Sequence, residues 1–151
     1  MCWHEPKKPQ TLATALICAN LLFIWGNSLL PASVSAAFSG WVKQLLESLF
    51  GSQATPEDGH GLLRKLAHFL EFASLGLLLG WRFSMDLKNK WILPTVLSGV
   101  SVALVDELLQ HFSPGRAPGI LDVGIDSAGI LLGMSLLILG KYISKKQLNG
   151  G

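Results

Sequence analysis

Cysteine is nearly missing from this chain of 151 residues, with Cys2 and Cys18 the only two. One falls in a polar N-terminal stretch and the other inside an apolar run, so neither a disulfide framework nor a thiolate metal pair is expected. Charge is scarce too: 15% of residues are Asp, Glu, Lys or Arg, and the net charge is +2. No basic stripe runs along any face, which excludes a nucleic-acid partner. There is no compact metal-binding run such as H-E-x-x-H, and no nucleophile set beside an activating base. No internal repeat divides the chain, and its length fits one domain.

What the chain has is apolar residues, half of the total, gathered in blocks. After a polar stretch carrying Lys7 and Lys8, Thr11 to Leu30 forms the first block. At 1.5 Å per residue it spans about 30 Å, the thickness of a bilayer core, and it is longer than the apolar region of a cleaved leader. Asn20 near its centre is expected to find a partner on another helix. In the connection from Pro31 to Gly61, Phe38, Trp41, Val42, Leu45, Leu46, Leu49 and Phe50 recur at helical spacing, with Ser39, Lys43, Gln44, Glu47 and Ser48 opposite. This predicts an amphipathic helix that lies in the membrane interface or packs on the protein's own surface. Gly51 ends it, and Pro56, Glu57, Asp58 and Gly59 make a polar loop.

Leu62 to Trp81 is the second expected span. Arg82 to Lys90 reads as a loop bracketed by Trp81 and Trp91 as interfacial anchors. Trp91 to Leu109 is the third span, with Pro94 and Gly99 as points of bending or close packing. Pro114, Gly115, Pro118 and Gly119 make a tight loop that aims Arg116, and Ile120 to Gly140 is the fourth span before a disordered tail, Gln147 to Gly151. Gly76 with Gly80, and Gly129 with Gly133, are two GxxxG pairs that permit close helix approach, within the chain or in a homo-oligomer. The expected fold is therefore all-α: an integral membrane bundle of four transmembrane helices with an extracytoplasmic interfacial amphipathic helix. Residues 1–10 and 141–151 are expected as cytoplasmic tails around a transmembrane domain at 11–140. Eight of the 12 Lys and Arg residues fall on the side of both termini, which places that side in the cytoplasm.

The ionisable residues inside the spans carry the functional reading, because charge in hydrocarbon is costly. Arg64, His68 and Glu71 are spaced four and three apart and share one helix face. Glu71 lies about 15 Å from Trp81 along the helix, near mid-bilayer, where it must be protonated, paired or solvated by a cavity. Asp106 and Gln110 share a face, Glu107 points about 100° away, and Asp122 stacks on Asp126. His68, Glu71, Asp106 and Asp122 form a mixed N/O ligand set, but they come from three helices without a compact motif, so no metal and no cofactor is expected. Carboxylates in unlike environments can serve as acid and base. Alternatively, Lys65 or Arg64 and Arg116 neutralise Glu71, Asp106 and Asp122 in a network that sets helix register. Proton relay through Glu71 and His68 would need a thicker wall than four short spans provide. A binding or structural network is preferred over catalysis, and the question of an enzyme stays open.

Three motifs together resemble the VanZ-like family, over roughly Leu12 to Leu139. Lys65, His68, Phe69 and Glu71 match its K-x-x-H-F-x-E pattern, and Asp106, Glu107 and Gln110 its D-E-x-x-Q. Pro114 and Arg116 match P-x-R, and Asp122 and Asp126 match D-x-x-x-[ND]. The chain departs after the first span, where Asn27-Ser28-Leu29-Leu30-Pro31 replaces the usual Ser-Ser-Gln-Pro-like turn. The resemblance implies a small multi-pass membrane protein, and the family's founding member is linked to teicoplanin resistance.

The functional expectation is an outward-facing polar pocket in a bacterial inner membrane, built from Lys65, His68, Glu71, Asp106, Glu107, Gln110, Arg116, Asp122 and Asp126. It would bind a membrane lipid, a lipid-linked cell-envelope precursor or another anionic headgroup, with Lys65 and Arg116 on phosphate. An accessory role in glycopeptide resistance would go with it. The alternatives are an intramembrane hydrolase or transferase using Glu71, Asp106 or Glu107 as acid and base, and a structural subunit of a membrane complex.

Overall fold

The computed structural model describes residues 8–50, 59–87, 90–116 and 119–149. Cys2, the Gly51 stop, the polar loop at Pro56, Glu57 and Asp58, and Pro118 lie outside the described residues. Five α-helices follow one another: α1 (Lys8–Leu29), α2 (Ala32–Phe50), α3 (Gly59–Leu87), α4 (Ile92–His111) and α5 (Ile120–Asn149). There is no strand among the described residues.

The molecule is inside-out relative to a water-soluble one. Asp106, Asp126, Thr95 and Ser28 are buried, while Leu22, Leu93, Leu121 and Leu136 stand outward. In water that arrangement would be costly twice over, whereas in a bilayer it places leucine in hydrocarbon and keeps polar groups away from lipid. Three helices, α1, α4 and α5, are long and apolar enough to cross a membrane. The more polar α3 is not among these, yet it packs against all four others and most extensively against α5.

Glycine determines how closely α3 and α5 meet. A side-chain carbon at Gly129 would strike the Phe69 carbonyl, one at Gly133 the Ala73 carbonyl, and one at Gly76 the Ile130 carbonyl. Both GxxxG pairs are thus turned inward within one chain, with Gly80 facing Leu137 and the Trp91 ring; on α4, Gly99 faces the Ile130 side chain, which a Cβ there would strike. Such backbone contact brings side chains on either side of the seam within reach of each other. Phe69 meets Gly129, Ala73 meets Gly133 and Gly80 meets Leu137, so α3 and α5 run parallel. Helix α1 runs antiparallel to α3. Gln10 and Thr14 meet Asp86 and Arg82 at one end, Asn20 donates to Ser74 at mid-length (2.6 Å), and Asn27 meets Glu71 at the other.

Several boundaries differ from the sequence expectation, each for a local reason. The segment from Arg82 is helical to Leu87 rather than a loop, because it holds no glycine or proline and Arg82 pairs with Asp86 one turn on. Helix α5 continues through Gln147, Leu148 and Asn149, expected as disordered tail, since no breaker intervenes after Gly140. Trp91 is not an exposed anchor: it is buried in the core, with the Lys141 ammonium 5.1 Å from its ring centroid. Pro94 sits in the first turn of α4, where its missing N–H has no helical partner to lose, so it imposes no bend. Helix α2 begins earlier than the apolar periodicity suggested, at Ala32. It turns Trp41, Leu45 and Leu49 outward and Ser39 inward.

Candidate functional site

Three helices converge on one polar point. His68 comes from α3, Asp106 from α4 and Asp126 from α5, and one ligand-type atom from each lies within 4.8 Å of the others. His68 Nδ1 is 3.7 Å from Asp106 Oδ2, close enough for charge attraction and too far for a hydrogen bond. Gln110, one turn after Asp106, donates from Nε2 to Asp106 Oδ2 at 2.8 Å and approaches Ser28 Oγ at 3.5 Å. That leaves Asp106 Oδ1, His68 Nδ1 and both Asp126 carboxylate oxygens buried without a hydrogen-bond partner. Asp106 is 0% and Asp126 1% exposed, so bulk water does not supply what the protein withholds. Unsatisfied groups at this depth cost several kcal/mol each in a membrane, by order of magnitude, so their survival calls for a physical reason.

The groups around this point hold the helix ends together. Asn27 of α1 donates from Nδ2 to Glu71 Oε1 at 2.7 Å, while Glu71 Oε2 has no partner. Glu107 reaches across to accept from the Gly119 backbone N–H at 2.9 Å, at the entry to α5. Arg116 donates from Nε to the Leu30 carbonyl (3.1 Å) and from Nη2 to the Asn27 carbonyl (2.8 Å). Ser113 Oγ donates to the Ser28 carbonyl at 2.7 Å. The Asn27 and Ser28 carbonyls belong to the last turn of α1 and the Leu30 carbonyl follows it; the Asn27 carbonyl also accepts from the Leu30 N–H, and the loop after α4 supplies the further donors that cap this helix end. Gly115 makes the turn at φ +76°, where any other residue would be strained and its Cβ would press on Ala32. Burial lowers the Arg116 pKa from its ordinary value, and the nearby Arg64 charge adds to this, although a guanidinium stays cationic throughout the usable range.

Two cavities meet at His68. The smaller, about 10 Å³, lies against Asp122, Asp126 and Gln110 and holds room for one water-sized body. The larger, about 510 Å³, opens between α1, α2 and α3. Its lining combines apolar side chains (Phe23, Leu30, Val34) with Arg64, Arg116 and Glu71. That volume lies within the range of small-molecule sites, and the mixed lining suits an amphiphile with an anionic group.

Of the residues singled out in the sequence, His68, Asp106, Gln110 and Asp126 form the centre, and Asp122 and Lys65 line its small cavity. Glu71 and Arg116 line the large cavity, whereas Glu107 faces the α5 entry. The mixed ligand set weighed from the sequence contained Asp122 and Glu71; the structure brings Asp126 to His68 instead and turns Glu71 towards Asn27. Arg64 lines both cavities, while Lys65 lines only the small one and is exposed. Arg64, Asn27, Ser28 and Ser113 were missing from the expected site. The i, i+4 spacing from Arg64 to His68 was the available signal; the other three carry none, since their partners lie on other helices.

Apolar helices that enclose a buried polar centre and expose leucine define a helical integral membrane protein. The chain belongs to the VanZ/LLP1 family, whose model matches residues 11–141. No curated relative and no solved structure matches it.

Proposed function

We propose that the protein is an intramembrane hydrolase or transferase acting on an anionic, lipid-linked component of the bacterial cell envelope. The observation that supports this most is the junction at His68, where a cluster of unsatisfied buried carboxylates meets a cavity lined by both apolar side chains and the cations Arg64 and Arg116. A site meant only to hold a headgroup needs the cations; it has no use for orphaned carboxylates beside them. In this reading Arg64 and the unpaired Nη1 of Arg116 hold phosphate oxygens, and the apolar side chains of the lining hold the lipid chain. The His68–Asp106–Asp126 cluster generates the attacking oxygen by taking a proton from water or an acceptor hydroxyl. Glu71, fixed through Asn27 and with Oε2 unused, returns a proton to the leaving oxygen as the headgroup bond breaks.

The same proposal makes α3 the fourth span. It is 29 residues long, packs lengthwise against α5, and brings the start of α1 and the end of α5 to one end of the bundle. Helix α2 then lies in the outer interface with Trp41, Leu45 and Leu49 towards lipid. Both termini face the cytoplasm, with residues 11–140 as the transmembrane unit and short tails beyond. Loss of the accessory role in glycopeptide resistance should accompany loss of turnover.

The test is conversion of a radiolabelled polyprenyl-diphosphate-linked precursor by protein in lipid nanodiscs. Glu71→Gln and Asp106→Asn should each lower the rate by about 100-fold or more, the scale of a lost acid or base, while precursor binding persists. Wild-type protein that binds the precursor and turns nothing over would leave a carrier or binding protein in place of an enzyme.

A further inference from the structure

We infer that His68, Asp106 and Asp126 hold a divalent metal ion, Zn²⁺ or Mn²⁺, at the meeting point of α3, α4 and α5. The site itself stands on geometry alone; only its use in activating water rests on the function proposed above. Two of these ligands, His68 and Asp106, belong to the mixed set weighed from the sequence; Asp126 joins them only through the packing of α5 on α3.

Three independent features point to the ion. The first is spacing. Ligands bonded at about 2.1 Å stand no more than about 4.2 Å apart, and here the donor atoms all lie within 4.8 Å. Small side-chain rotations close the difference without moving a helix. The second is the pattern of unused atoms. His68 Nδ1, Asp106 Oδ1 and both Asp126 oxygens are buried and unpartnered, and Asp106 and Asp126 are almost fully enclosed. A proton on Asp126, donated to His68 Nδ1 or to Asp106 Oδ1, would satisfy one of these acceptors and leave the other unpartnered. A cation satisfies the carboxylates and the imidazole together, and two carboxylates balance its two charges. The third is room beside the cluster: a cavity of about 10 Å³, the size of one water, lies against His68 and Asp126, with Gln110, Asp122, Arg64 and Lys65 completing its lining and Asp106 outside it.

The donor set narrows the choice of ion. One imidazole nitrogen with two carboxylates is a mixed N/O environment, which suits Zn²⁺ and Mn²⁺. Ca²⁺ prefers six to eight oxygens, and Mg²⁺ retains water and favours oxygen ligands. Three protein ligands leave an open position, the arrangement of a catalytic rather than a structural metal. Gln110 is the supporting group, since its Nε2 donates to Asp106 and orients that carboxylate. A water in the open position would be made more acidic by the ion and would pass its proton to the Asp126 oxygen not used as a ligand, supplying the attacking oxygen.

The test measures metal in the full-length protein, purified in detergent, stripped with chelator, and dialysed against Zn²⁺ or Mn²⁺. The expected result is one tightly held ion per chain, with Mg²⁺ held at least tenfold more weakly. His68→Ala and Asp126→Asn should lower affinity at least 100-fold, Gln110→Ala about 10-fold, as a lost supporting contact does, and Glu71→Gln should leave it unchanged. Where a variant fails to fold, X-ray absorption of the Zn²⁺- or Mn²⁺-loaded wild type decides the matter: one imidazole and oxygen donors support the site. Sulfur or several imidazoles would move the ion to Cys2, Cys18 or the other histidines and overturn it. Stripped wild-type protein that takes up no ion, or full uptake by folded His68→Ala and Asp126→Asn, also overturns it. Bound metal without precursor turnover keeps the site and rejects the reaction; turnover by metal-free protein does the reverse.

Discussion

Arg116 illustrates how a residue can be placed correctly and assigned only half its work. As a cation near a membrane surface it reads as a phosphate ligand, yet two of its nitrogens close the end of α1 through the Leu30 and Asn27 carbonyls. Only Nη1 remains for a ligand. Arg116→Ala should therefore destabilise the fold by about 1–3 kcal/mol, the scale of lost hydrogen bonds from a charged donor, as read by denaturant unfolding in mixed micelles. Arg116→Lys should recover less than half of that, because an ammonium cannot address two carbonyls with the planar fork of a guanidinium. Equal stability of the lysine variant and wild type would show that charge, and not the fork, caps α1.

At the scale of helices, the seam between α3 and α5 determines the site. Gly129 and Gly133 let α5 lie on the α3 backbone, and this contact decides which residue of α5 faces His68. Gly124, on the same helix, has nothing near it. Gly133→Val should cost at least the roughly 1–3 kcal/mol of an overpacked core, since a backbone carbonyl cannot swing aside as a side chain can. Gly124→Ala should be neutral or stabilising by up to about 1 kcal/mol, from reduced freedom of the unfolded chain. Thermal unfolding of both variants in one detergent checks the contrast, and similar losses at the two positions would remove the seam from the account.

For the whole molecule, the distribution of polar and apolar surface implies a direction in the membrane. The polar cluster sits where α1 and α4 end and α5 begins, far from the end where Gln10 and Asp86 meet. Cysteines placed singly in a Cys2→Ser, Cys18→Ser background report the sidedness. Gln44→Cys on α2 should react with an impermeant maleimide in intact cells, and Lys145→Cys on α5 only after the membrane is opened. Labelling of both from outside would mean that α3 does not cross and that the polar centre has a different aspect.

Much of this architecture could be read from the chain directly, because its signals are local. Apolar blocks of bilayer length identify α1, α4 and α5, and three- and four-residue spacing puts Arg64, His68 and Glu71 on one face and Asp106 with Gln110 on another. The continuation of α3 to Leu87 was hidden only by two charged residues that turn out to pair with each other. What local spacing cannot express is rotation and depth between helices. Asp122 and Asp126 share a face and are equivalent by periodicity. The glycine-to-carbonyl contacts of α5 on α3 set the depth at which Asp126 meets His68 and leave Asp122 on the cavity wall. Asn27 likewise finds Glu71 because antiparallel packing brings the last turn of α1 to the N-terminal half of α3. Hydrophobic periodicity is a property of each helix alone, whereas the polar centre depends on distances among three, and those are set by backbone contacts at the packed seams.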